Sequence, residues 1–204
     1  MKTTLLSSAF ALALVVSGGA FAADGNVQAG AKLASDVCSK CHGDKGVSPS
    51  PLFPNLAGQK AGYIENELHL FRDRGRGDPH ARAYMWGIAG PMTDAQISDV
   101  AAYFAAQTPV HGSPASDTAL AEKGKAIFEK GVEARQIPAC AACHGKNAEG
   151  NDTIPRLAGQ YKDYLVTQML EFRGLLRDNE TMHENTAHMT DDDARAVAEF
   201  LSSK

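Results

Sequence analysis

Two cysteines spaced two residues apart, with a histidine directly after the second, occur twice in this chain. The copies are Cys38-Ser39-Lys40-Cys41-His42 and Cys140-Ala141-Ala142-Cys143-His144, and each is followed by glycine, Gly43 and Gly145. A Cys-x-x-Cys-His run reads as a covalent attachment site for haem c. The two thiols become thioethers on the haem vinyl groups, and the adjoining imidazole is held under the iron as an axial ligand. Two copies predict two haem c groups and make electron transfer the leading chemistry. Paired cysteines also build zinc sites, but here a histidine follows each pair at once, and methionines rather than further Cys or His recur downstream.

The chain has 204 residues and four cysteines, all inside the two motifs, so none is left for a disulfide. Its first residues resemble an export signal. Lys2 supplies positive charge, Leu5 to Val16 is apolar but for Ser7 and Ser8, and Ala20-Phe21-Ala22 offers a cleavage pattern. Residues 1–22 are therefore expected to be removed, leaving 182 residues in a periplasmic, oxidising compartment. The apolar run is shorter than the roughly 20 residues that span a bilayer, and no later segment competes for that role. The formal charge of −4 becomes −5 without Lys2 and is spread along the chain. That argues against a nucleic-acid partner, which would need a basic face.

The ligands must be positioned by a duplicated framework. Leu56-Ala57-Gly58-Gln59, Tyr63 and Phe71-Arg72 recur 101 residues on as Leu157-Ala158-Gly159-Gln160, Tyr164 and Phe172-Arg173. Met85 and Met92 recur 97 residues on as Met182 and Met189. Ordered self-similarity of this kind signals a duplicated unit. The Pro-, Gly- and Ser-rich stretch 108–117 reads as the linker, between an N-terminal domain 23–107 and a C-terminal domain 118–204. Each half predicts a helix leading toward the motif (27–37 and 118–130) and a middle helix after the Gln. In the middle helices Ile64, Leu68 and Phe71, or Leu165, Met169 and Phe172, share one face. A last helix follows, capped by Thr93 with Gln96 or by Thr190 ahead of three aspartates. No stretch alternates like a strand, so the fold is read as all-α, two tandem haem domains. Each half is small enough that its core is expected to depend on the cofactor.

The motif makes His42 and His144 the proximal ligands. For the distal face, Met85/Met182 and Met92/Met189 both repeat. Met92 and Met189 directly precede the N-caps, where an apolar side chain staples the helix start, which accounts for them without iron. Met85 and Met182 are expected in irregular segments free to reach the metal. His183, beside Met182, and His188, His80 and His69 are rival ligands, but none recurs in the other half.

With these residues in place, the chain resembles the cytochrome c4 family, dihaem proteins built from two class I cytochrome c domains. The likeness rests on the paired Cys-x-x-Cys-His-Gly motifs, the repeated Pro-x-Leu-Ala-Gly-Gln from Pro54 and Pro155, Ile137-Pro138-Ala139-Cys140, and a Met-bearing segment before each final helix. It implies His/Met ligation, His42 with Met85 and His144 with Met182, and a proline carbonyl (Pro54, Pro155) accepting from each axial His. Arg72 and Arg173 could pair with haem propionates or be exposed helix-end residues. The resemblance further implies a monomeric electron carrier with no catalytic residue, associating peripherally with membrane complexes. Its electrons would come from a quinol-oxidising complex and go to a terminal oxidase. The alternatives are an electron-accepting subunit of a dehydrogenase, such as a flavin-dependent sulfide dehydrogenase, or a dihaem peroxidase with one open iron face.

Overall fold

The computed structural model describes residues 25–204, so the expected signal segment 1–22 lies outside the described residues. In the first half, Asn26 caps α1 (Val27–Leu33), its side-chain oxygen accepting from the amides of Gln28 and Ala29 at 3.0 Å each. The chain then widens into a π-helical turn, Ala34–Cys38, and tightens into α2 (Ser39–His42). After the Leu-Ala-Gly-Gln turn come α3 (Ala61–Arg72), a second π-helical turn (Ala81–Met85) that runs directly into α4 (Trp86–Ala89), and α5 (Asp94–Ala105). The second half holds α6 (Thr118–Lys130), α7 (Ala141–His144), α8 (Lys162–Arg173), α9 (Glu180–Thr186) and α10 (Asp191–Ser202). Among the described residues there is no β-strand, only two isolated bridges, Val132–Ile137 and Asn151–Ile154.

Both final helices start on capping boxes. Thr93 exchanges bonds with Gln96, and Thr190 with Asp193, satisfying amides that a helix start leaves without partners. Asp193 does more than cap. Its buried carboxylate also receives Arg135 and Lys123, and the Arg135 guanidinium holds its carboxyl well below the usual range although burial opposes this.

Two separate apolar cores result. One gathers Ile64, Leu68, Phe71, Ile97, Val100 and Phe104; the other gathers Ile127, Phe128, Leu165, Met189, Val197 and Leu201. In each half the first helix crosses the last, α1 on α5 and α6 on α10, at a glycine. A Cβ on Gly30 would stand 2.0 Å from the Asp99 carbonyl oxygen, and one on Gly124 would stand 1.8 Å from that of Ala196. Only a residue without a side chain lets the backbones approach this closely.

The segments carrying Met85 and Met182 are helical, not irregular as the sequence suggested. Met85 closes the π-helical turn and Met182 lies in the first turn of α9. The overlooked signals are two caps 101 residues apart: Asp78 accepts the Ala81 amide and Asn179 the Met182 amide. Both helical pieces are short, and the run around Met182 is too polar to show the apolar periodicity that marks longer helices.

The halves meet through the repeated motifs. Gln160 Oε1 accepts from the Asn55 amide at 2.9 Å and its Nε2 donates to the Asn55 carbonyl at 3.0 Å. In mirror fashion Gln59 Oε1 accepts from the Arg156 amide at 2.7 Å and its Nε2 donates to the Arg156 carbonyl at 2.9 Å. Beside this clamp lies a buried charge network. Glu67 receives both Arg76 and Arg177, Gln168 receives both guanidiniums as well, and Arg177 reaches the Tyr63 hydroxyl at 3.0 Å. Asp78 takes the Arg76 Nε at 2.7 Å. Burial opposes ionisation of Glu67, but the two arginines outweigh it and lower its carboxyl pKa.

The end of the stretch expected to be the linker is tied to the last helix. Glu199, buried on α10, accepts from the amides of Ser116 (2.6 Å) and Asp117 (3.0 Å), from the Ser116 hydroxyl and from Lys162.

Candidate haem centres

Each motif sits where a helix turn ends against a loop. Cys38 closes the first π-helical turn, and Cys41 and His42 lie in α2. Cys140 has helical dihedrals as the N-cap of α7, which carries Cys143 and His144. In both copies the thiols are three residues apart on helical backbone and so are neighbours on one surface. No disulfide joins the four cysteines; Cys143 is exposed and the others are half-buried. Burial pushes Cys38 and Cys140 up to about 11, which keeps these two protonated at neutral pH. The helix must stop directly after each histidine, and Gly43 (φ 75°) and Gly145 (φ 83°) supply the backbone conformation that stops it.

The histidines are buried, and each Nδ1 lies against a proline carbonyl: His42 to Pro54 at 2.9 Å and His144 to Pro155 at 3.1 Å. A carbonyl oxygen can only accept, so Nδ1 must carry the proton. That tautomer leaves the lone pair on Nε2, the state a metal ligand needs. Burial pulls both imidazole pKa values down, against a smaller opposing effect of the proline carbonyl, and keeps the rings neutral. Phe53 stands edge-on to the His42 ring, with centroids 6.0 Å apart. Two adjacent thiols and an oriented neutral imidazole in each half are the donor set that haem c requires.

On the distal side, Met85 is half-buried against the N-terminal core, and Met182 is half-buried on α9. Met92 packs on the cluster containing Ile97, and Met189 is itself a member of the core cluster containing Ala194, as expected of residues that staple the helix starts. The rival His183 donates from Nδ1 to the Phe172 carbonyl at 3.0 Å, anchoring α9 to α8. Arg72 and Arg173 are committed elsewhere: each bonds the carbonyl of the stapling methionine and the first aspartate of the last helix, Asp94 or Asp191. The arginines that sequence reasoning missed are Arg76 and Arg177, again 101 residues apart and each only 6% exposed, a repetition that was available in the sequence.

An all-α chain of two halves, each presenting a thiol pair and a proline-bound histidine, defines a dihaem c-type protein. Comparison with known proteins bears on which one. The family model described as cytochrome c matches residues 27–107 and again 121–204. Cytochrome c-552 of Acidithiobacillus ferridurans is 40% identical over 205 residues, covering 99% of this chain and 87% of that one. Cytochrome c4 of Thiocapsa roseopersicina is 37% identical over 183 residues, covering 87% and 92%. The solved structure of Acidithiobacillus ferrooxidans cytochrome c4 superposes with a TM-score of 0.79 at 39% identity, over 84% of this chain and 99% of that one. A protein named thiosulfate dehydrogenase electron acceptor, from Stutzerimonas stutzeri strain A1501, is 34% identical over 212 residues, covering 100% and 96%. The chain belongs to the cytochrome c4 family, with two cytochrome c domains and two haem c groups.

Proposed function

We propose that this protein is a periplasmic electron carrier whose haems are attached through Cys38/Cys41 and Cys140/Cys143 and ligated by His42 with Met85 and His144 with Met182. Domains 23–107 and 118–204 would each hold one haem, joined by the linker 108–117. The observation that carries the reading is the pair of buried histidines held through Nδ1 by Pro54 and Pro155, the same device built twice. When bound, each haem cycles one electron between ferric and ferrous iron. The chain's part would be to keep each imidazole neutral and oriented and to supply a methionine thioether as the second ligand, which would raise the potential relative to bis-His ligation. Donation by a quinol-oxidising complex and delivery to a terminal oxidase fit a protein of high potential. No helix among the described residues is long and apolar enough to cross a membrane, and association with such complexes is proposed to be peripheral. A redox titration of the purified protein tests this reading. Two one-electron steps with no binding of carbon monoxide to the reduced form are expected; carbon monoxide binding would mean an open iron and return the peroxidase reading.

A second reading is favoured by the relative named as an acceptor for thiosulfate dehydrogenase: this chain could accept electrons from a periplasmic dehydrogenase of sulfur chemistry. Reduction of both haems by such an enzyme and its substrate, faster than by a quinol-oxidising complex, would favour it.

A further inference from the structure

We propose that Gln59 and Gln160 are positioning residues acting across the domain interface, each setting the donor strength of the axial histidine in the opposite half. The inference rests on the reading of His42 and His144 as iron ligands. The peptide group joining Pro54 to Asn55 is engaged at both ends. Its carbonyl accepts from His42 Nδ1 at 2.9 Å, and its N–H donates at 2.9 Å to Gln160 Oε1, which belongs to the other half. The peptide joining Pro155 to Arg156 repeats the arrangement, accepting from His144 at 3.1 Å and donating to Gln59 at 2.7 Å. Each glutamine oxygen also takes the amide of the next residue, Tyr161 or Lys60, and each Nε2 donates back across the interface. These bonds fix the carboxamide orientation. Both glutamines are 7% exposed, so water does not substitute for them.

An amide whose N–H is bonded carries more negative charge on its oxygen, so successive bonds in a chain strengthen one another. Gln160 therefore strengthens the Pro54 carbonyl as an acceptor for His42. A stronger Nδ1–H bond makes the imidazole a more basic ligand and favours ferric iron. The consequence is crossed: a residue in the sequence of one half lowers the potential of the haem in the other. No local reading of either half contains this link, because it exists only once the two motifs face each other.

The test uses the intact dihaem protein with Gln160→Met and Gln59→Met, following the Nδ1–H proton resonances of both histidines in the reduced, diamagnetic state and the two potentials. Gln160→Met is expected to move the His42 resonance upfield and raise the N-terminal haem's potential while leaving His144 in place; Gln59→Met should do the reverse. Gln160→Glu retains an oxygen acceptor for Asn55 and should restore the His42 resonance. Tyr161→Phe, which removes a different bond across the interface (to the Ser48 carbonyl), should move neither. Shifts confined to the mutated half, equal shifts in both halves, no shift, or an equal effect of Tyr161→Phe would each overturn the proposal. Ring-current-shifted imidazole protons in the unmutated protein report ligation separately, so failure of the ligand reading is distinguishable from failure of the relay.

Discussion

A histidine becomes a good iron ligand only when its other nitrogen is settled, and here a proline carbonyl settles it in both halves. The tautomer follows from the acceptor alone, since a carbonyl has no proton to give. Charged side chains obey the same accounting. Arg76 and Arg177 are buried together and remain tolerable because Glu67 and Asp78 face them, while the repeat replaces those two acids by Gln168 and Asn179. At these positions the first half supplies the negative charge, and the second supplies a neutral acceptor, Gln168, for both guanidiniums. Removing one member of a buried ion network strands its partners, at a cost of about 3–5 kcal/mol. Glu67→Gln is therefore expected to lower the unfolding free energy by that order in denaturant titration. An unchanged midpoint would mean that the two guanidiniums are satisfied without it.

At the scale of elements, the last helices were legible because their signals are local. Thr93 with Gln96 and Thr190 with its aspartates announce the starts, and Val197, Phe200 and Leu201 fall on one face. Thr190→Ala should cost about 1 kcal/mol, read as a lowered denaturation midpoint. The π-helical turns before Cys38 and Met85 were not legible, because a one-residue widening leaves no mark on apolar spacing; both end at a residue assigned here to a haem. The closest helix crossings were hidden for a related reason. Gly30 and Gly124 read as weak helix residues until the partner helix is in place. Alanine is the better helix former by about 1 kcal/mol, yet Gly124→Ala should destabilise the protein, since the new Cβ would meet the Ala196 carbonyl oxygen. A higher melting temperature for that variant would show that α6 and α10 can separate at little cost.

For the whole molecule, the repeat disclosed the two halves, but how they meet depends on pairings no single half contains. Leu-Ala-Gly-Gln was visible twice as a motif; its glutamines as a reciprocal clamp became visible only with the halves docked. The linker behaves likewise. Its Pro and Gly content marked it as a linker but not where it is held, and Glu199 ties its end to α10. Burial opposes ionisation of Glu199, but Lys162, Ser116 and two backbone amides outweigh it and hold the carboxyl at about 2, below its ordinary 4.5. A depressed carboxyl contributes stability that is present above the unfolded pKa and lost as pH falls through the folded one. The advantage of the unmutated protein over Glu199→Gln should therefore be full above pH 4.5 and fade toward pH 2, as read from melting temperatures across that range. An advantage independent of pH would assign Glu199 a packing role only.

The central claim, two closed His/Met centres in one carrier, is tested most directly by the sulfur-to-iron charge-transfer band at the red edge of the oxidised protein's spectrum, measured per haem. The account predicts two haems' worth of the band, with one haem's worth lost in Met85→Ala and one in Met182→Ala. A single haem's worth that survives Met182→Ala would contradict it, making the C-terminal iron either open or bound by His183.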